Sequence, residues 1–205
     1  MARDDERLAR SQEEILVGGL PDVPGIIAAI RLTPGLGVHL RGLADELLVN
    51  DFPGTTLVRA QREMLATAVS AANDCFYCMD SHGAFATALL ETTGAHELVP
   101  LIDAIKIGSS DGFDPKMSAL LHIARTVRRD PRELTAADVG AATEAGAVDA
   151  DIQLAVLIAA AFSMYNRMVD GFRAQTPPTA EAYRARASEI AAHGYSDQRV
   201  TALPR

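Results

Sequence analysis

The chain has 205 residues, no tryptophan, 5% aromatic residues and a net charge of −8 at pH 7, with a pI near 5.1. That length buries roughly 70% of the surface an unfolded chain exposes, enough for one sizeable core and a single domain over 1–205. The acidic balance without a basic patch speaks against nucleic acid as a partner, and abundant Ala, Leu, Glu and Arg point to an all-α protein of closely approaching helices.

In chain order, residues 1–20 read as a charged, partly helical lead ending at Gly18-Gly19. With no apolar segment behind it, this lead is not expected to be a secretory signal. Pro21, Pro24 and Gly25 punctuate the chain before an apolar stretch from Ile26 to Leu32. Pro34-Gly35 breaks that stretch, and Leu36 to Val49 is amphipathic. Asn50 to Gly54 is a loop signal. Thr55 or Thr56 is expected to cap a helix that runs to about Ala72. Asn73-Asp74 interrupts it, and a new helix starts at the cysteines and runs to about Thr92 before Gly94.

The second half reads as a helix over Ala95–Ile107, a loop over Gly108–Asp114 and a helix over Lys116–Arg129 with Pro115 in its first turn. After the break at Asp130-Pro131, Thr135 caps a helix to about Ala145, stopped by Gly146. Asp149 or Asp151 then opens a long apolar helix to about Phe172, and a charged helix over Ala180–His193 follows Thr176-Pro177-Pro178-Thr179. No stretch alternates as a strand would, and no unbroken run of about 18 apolar residues marks a membrane span. Met64–Asp80 and Leu154–Asp170 echo one another as Ala-rich runs followed by polar residues.

Both cysteines fall in one word, Cys75-Phe76-Tyr77-Cys78, with His82 four residues after the second and Glu63 twelve before the first. A structural disulfide framework is therefore excluded, and reactive chemistry is concentrated here. Asp74 is expected as the N-cap of the helix that starts there. Thiols near a helix N-terminus meet unpaired N–H groups and the positive end of the macrodipole. Lowering a thiol pKa from about 8.5 to about 6 raises its thiolate fraction at pH 7 from about 3% to roughly 90%. Cys75 and Cys78 at i, i+3 can close a disulfide, and His82 shares a helix face with Cys78. Glu63 would hold the imidazole in one tautomer or relay a proton, giving nucleophile, base and orienter. The other readings of the same residues are a zinc site with Glu63 as fourth ligand and a buried, inert thiol pair.

The stretch Arg62-Glu63-Met64 through Ala68-Val69-Ser70-Ala71-Ala72, then Cys75-Phe76-Tyr77-Cys78 and Ser81-His82-Gly83-Ala84, resembles the alkylhydroperoxidase D (AhpD)-like proteins of the carboxymuconolactone decarboxylase superfamily. Their pattern E-x11-C-x2-C-x3-H is matched at every position. Tyr165-Asn166-Arg167-Met168-Val169-Asp170-Gly171 resembles a word near the end of the peroxidase-related branch. The likeness spans about residues 20–175 and leaves the charged ends outside. It implies an AhpD-like helical bundle and a thiol-dependent peroxidase. In that reading Cys78 is peroxidatic, Cys75 resolving, and His82 with Glu63 the proton relay.

Its implied partners are a small peroxide and a dithiol or protein-thiol electron donor. It calls for no bound cofactor and no metal. Tyr77 departs from the best-studied type, which has histidine directly before the second cysteine. The decarboxylase branch lacks the cysteine pair, which speaks against lactone decarboxylation. A non-catalytic redox sensor or a metal-binding protein is the alternative. A cytoplasmic, reducing location suits thiols that must cycle.

Several further expectations follow. Asn166 and Arg167 read either as a buried or interfacial hydrogen-bonding pair or as a wall of the cavity. Met79 and Met168 are candidates to line the thiol pocket. His39, His96, His122 and His193 read as ordinary surface or core residues. The chain is expected to form a homo-oligomer, a dimer or a hexamer of dimers, because the helix from Ile152 to Phe172 is apolar nearly all round. The charged ends, Met1–Glu14 and Ala180–Arg205, would wrap a neighbour.

Overall fold

A computed structural model describes residues 2–11, 14–179 and 181–196. Ten α-helices and two 3₁₀ turns, with no strand, make up the described residues. In order the helices are α1 (Ala2–Ser11), α2 (Ile26–Leu32), α3 (Pro34–Leu48), α4 (Arg59–Ala72), α5 (Phe76–Thr93), α6 (Pro100–Lys106), α7 (Pro115–Arg129), α8 (Ala136–Glu144), α9 (Asp149–Gly171) and α10 (Glu181–His193). The expected helix over Ala95–Ile107 divides into a 3₁₀ turn at His96–Leu98 and α6, because Pro100 opens a helix of its own.

The core lies where α4 packs against α5, α7 and α9. Leu65, Val69, Leu120, Leu121, Leu154, Ile158 and Phe162 meet there, all within 1% of complete burial. Burying side chains of this size contributes about 1.5–3 kcal/mol each before entropy is counted. By length and composition α9 could cross a bilayer. It is instead the central helix of the bundle, with Asp151 and Asn166 buried in hydrogen bonds. Nor is α9 buried all round: Gln153, Leu157, Ala160, Met164 and Arg167 form an exposed stripe. The Met64–Asp80 echo fails structurally, since that segment breaks between α4 and α5 where Leu154–Asp170 runs unbroken.

Thr55 and Thr56 do not cap α4, which begins four residues later than Thr55. Instead the Gln61 side chain accepts from the Val58 N–H at 3.1 Å. The threonines are recruited by a buried carboxylate. Thr55 Oγ1 and the Thr56 N–H both donate to Asp151 Oδ1, and Thr56 Oγ1 to Oδ2, each at 2.7 Å. Lys116 stands 3.7 Å from the same carboxylate. Three short bonds to a charged acceptor outweigh a helix cap.

The reversal between α4 and α5 places the cysteines. Asp74 is not the N-cap of α5; it takes a left-handed conformation, φ +55°, which aspartate tolerates better than most residues. Cys75 occupies the cap position, and its N–H reaches back to the Ser70 carbonyl at 3.0 Å. Asn166 braces this corner. Its amide donates to Ser70 Oγ at 3.1 Å and its carbonyl accepts from Asn73 at 2.8 Å. Arg128 in turn donates to Asn73 Oδ1 at 2.6 Å. Arg167, by contrast, is exposed and bonds the Ser163 carbonyl of its own helix, so within the chain only Asn166 is buried.

Both charged ends, expected to wrap a neighbour, fold onto their own chain. Arg7 of α1 donates to buried Asp80 at 2.6 Å, where Lys106 also arrives at 3.1 Å. Arg59 of α4 holds the last carbonyls of α10, Ala191 at 2.7 Å and Ile190 at 3.2 Å. Ala180, residues 197–205, and residues 1, 12 and 13 of these expected extensions lie outside the described residues.

Candidate active site

The four residues singled out from the sequence converge. Glu63 on α4 and Cys75 are fully buried, Cys78 on α5 is 2% exposed and His82, one turn further, 8%. His82 Nδ1 lies 2.7 Å from Glu63 Oε2. A carboxylate inside an apolar bundle costs several kcal/mol unless hydrogen-bonded, and Glu63 has a partner on each oxygen. The second is Tyr195, whose hydroxyl donates to Oε1 at 2.7 Å and lies 3.3 Å from His82 Nδ1. Aromatic rings fix the imidazole: Phe162 meets it edge-on with centroids 4.5 Å apart, and Phe85 at 5.3 Å.

The thiols are free and differ in setting. Cys75 lies behind, at the cap position. A hydrogen bond to the Cys78 sulfur, then burial, then the charges of Cys78 and Asp170 push its thiol well above the ordinary range, against a smaller opposing pull from the Cys78 N–H. Cys78 faces a pocket with about 60 Å³ of free space, walled by Ile26, Ile30, Leu40, Phe85 and Phe162 and reached by His82. Arg41 and Arg186 also line it, and no carboxylate does. Glu63 stands outside the lining, behind His82.

Tyr77, the residue between the cysteines, also lines the pocket. Its ring meets Tyr183 of α10 edge-on at 5.7 Å, and its hydroxyl lies 3.5 Å from Arg186. Burial raises its phenol above the usual range. On the other side Gly25, at φ +56°, lies so close to this ring that a Cβ there would sit 2.2 Å from it. Only glycine satisfies both the left-handed backbone and the contact. Met79 packs with Ala71 and Phe76 instead, and neither it nor Met168, Asn166 or Arg167 reaches the pocket. His39, His96, His122 and His193 are exposed and lie away from it. Among the described residues no group of three or more His, Cys, Asp or Glu is placed to hold a metal. Glu63, the expected fourth ligand, has both oxygens engaged.

Sequence reasoning missed Tyr195, Arg186 and Tyr183, all from the C-terminal extension. No spacing ties them to the cysteine word. The only available signal was a helix followed by Gly194-Tyr195, which ends α10 and turns the chain inward.

Residues 43–126, from α3 to α7 and including all four predicted site residues, match the carboxymuconolactone decarboxylase family. A crystal structure described as an alkylhydroperoxidase AhpD core, an uncharacterized peroxidase-related protein from Ralstonia eutropha JMP134, superimposes with a TM-score of 0.65. It shares 26% identity, over 89% of this chain and 88% of that one. An uncharacterized peroxidase-related protein from Silicibacter sp. TM1040 shares the fold, with a TM-score of 0.64 at 23% identity over 82% and 90% of the two chains. No curated protein sequence matches the chain. The all-α bundle is of the AhpD-core class of fold. Residues 43–126 are thus similar to the carboxymuconolactone decarboxylase family, and the chain as a whole is similar in fold to the AhpD core structure.

Proposed function

We propose that the chain is a thiol-dependent peroxidase in which Cys78 is the attacking residue. The observation that carries this reading is the asymmetry of the pair: Cys78 lines the pocket with His82, while Cys75, fully buried, does not. His82 takes the Cys78 proton, and the thiolate attacks the peroxide, ROOH. One oxygen passes to sulfur as a sulfenic acid, and the leaving alkoxide takes the proton back from His82 as ROH. Cys75 then attacks the sulfenic sulfur, the disulfide forms and water leaves. A dithiol donor reduces the disulfide and restores both thiols. Glu63 supports the imidazolium formed in the first step. A reducing, cytoplasmic setting belongs to this proposal, since the cycle ends on thiols.

Peroxide consumption with a dithiol donor tests it. Cys78→Ser should abolish turnover, and Cys75→Ser should form one sulfenic acid per chain and stop without closing a disulfide. Parent-like consumption by Cys78→Ser would overturn the assignment, and a parent that reacts once and never turns over would make the pair a sensor.

Homo-oligomerisation is proposed with it, as a dimer or a hexamer of dimers. It is supported by the exposed apolar stripe of α9, where Leu157 is 45% and Met164 39% exposed. Light scattering at micromolar concentration should give a multiple of the chain mass; a single-chain mass that holds as concentration rises overturns it.

A further inference from the structure

Tyr195 comes from the far end of the chain, yet three elements aim its hydroxyl at Glu63. Arg59, one turn before Glu63 on α4, holds the C-terminal carbonyls of α10. Gly194 then turns the chain at φ +73°, and a Cβ there would sit 2.8 Å from Asp45 Oδ1. Asp45 on α3 accepts the N–H groups of Tyr195 at 2.6 Å and Ser196 at 2.9 Å. Tyr195 itself is half-buried, with its ring 5.9 Å from His82 at 31° and 6.0 Å from Phe85. A side chain needed only to cover the core would not require a carboxylate, a guanidinium and a left-handed glycine to place one oxygen.

We propose that Tyr195 is a positioning residue that sets the tautomer of His82 by hydrogen-bonding Glu63. The proposal rests on the reading of Cys78 and His82 as the reacting pair. An ionised carboxylate only accepts hydrogen bonds. With Glu63 ionised, the phenol must donate to Oε1 and the imidazole must donate from Nδ1 to Oε2. His82 then carries its hydrogen on Nδ1 and keeps the Nε2 lone pair for the Cys78 proton. The phenol has one hydrogen and two acceptors in range. Given to Nδ1, it would force the hydrogen onto Nε2 and remove the base. The distances decide, 2.7 Å to Glu63 against 3.3 Å to Nδ1. Burial and the adjacent Glu63 charge keep the phenol protonated well above the ordinary range, so the donor persists across the working pH.

The test is the His82 tautomer, read by ¹⁵N chemical shifts in full-length protein, together with the pH profile of kcat/KM. The charged and titratable groups facing the relay stay in place in Tyr195→Phe: Arg59 on α4, Arg41 and Asp45 on α3, Cys78 on α5, Tyr165 on α9 and Arg186 on α10. The parent should show hydrogen on Nδ1 at neutral pH. Tyr195→Phe keeps the ring and should show mixed tautomers. Without the phenol, the Glu63 carboxylate is no longer held against Nδ1 and supports the imidazolium less. The acid limb should therefore move to lower pH, while the fraction with hydrogen on Nε2 cannot take the Cys78 proton, so kcat/KM at pH 7 should fall about tenfold. Hydrogen on Nε2 in the parent overturns the proposal without any variant. So does a Tyr195→Phe protein with the parent's tautomer and pH profile, whatever its rate. A parent that consumes no peroxide defeats the peroxidase reading alone, because the tautomer measurement needs no turnover.

Discussion

Glu63, Asp80 and Asp151 have no exposed side-chain surface; Asp80 is met by Arg7 and Lys106, and the other two are solved in opposite ways. Asp151 is surrounded by donors whose protons do not move: two threonine hydroxyls and the N–H groups of Thr56 and Val148. Its one cation, Lys116, stands at 3.7 Å. Glu63 is surrounded by donors that can titrate, an imidazole and a phenol. Equal burial thus gives a structural latch in one case and a candidate proton path in the other. What separates them is whether the partner can give up its hydrogen, and only the Glu63 partners, His82 and Tyr195, line the pocket that Cys78 faces.

Exchanging the two roles by mutation is the strongest way to break this comparison. Glu63→Gln should lower peroxide turnover by at least about 100-fold, the ordinary contribution of a general acid–base assembly, while its melting temperature changes little. Asp151→Ala should do the reverse. Turnover per folded molecule should stay near the parent's, and stability should fall by about 3 kcal/mol, because buried donors lose their acceptor. For a chain of this size that is roughly 6–12 °C in melting temperature. Comparable loss of turnover in both variants, with both stably folded, would erase the distinction.

Acid sharpens the comparison with a smaller effect. Burial works to raise the Asp151 carboxyl, but the bonds from Thr55, Thr56 and Val148 outweigh it and hold the group below the usual range. A depressed carboxyl contributes stability that is complete above about pH 4, the unfolded value, and is lost as pH falls through the folded one. Denaturant midpoints measured from pH 5 down to pH 2 should therefore fall more steeply in the parent than in Asp151→Asn. Parallel curves would show that the latch is not ionised when folded.

The cysteine word and its relay partners were legible because helix geometry alone links Cys75, Cys78 and His82, and the Glu63 spacing spans one helix reversal. The capping roles were not. Thr55, Thr56 and Asp74 carry local cap propensity, and each was taken up by something local rules do not see: a buried carboxylate 95 or more residues away for the threonines, and a left-handed corner for Asp74. Thr135, with no such competitor, caps α8 as its position suggests. The intrachain contacts of the ends were not legible for a related reason. A charged helix far from the motif shows no sequence sign that its own chain, rather than a neighbour, will receive it.

The crowding of tyrosines onto one end of the bundle gives the protein a built-in optical probe. The chain has four tyrosines and no tryptophan. Tyr77, Tyr165 and Tyr195 line the thiol pocket, and Tyr183 touches Tyr77. Near-ultraviolet absorbance and intrinsic emission therefore arise almost wholly from residues that line the Cys78 pocket or touch one that does. No label is needed to follow conversion of the thiols to a disulfide by stopped-flow emission. All four phenols are also held above their usual range. Tyrosinate absorbance should stay silent on alkaline titration until the fold opens, then rise in one cooperative step.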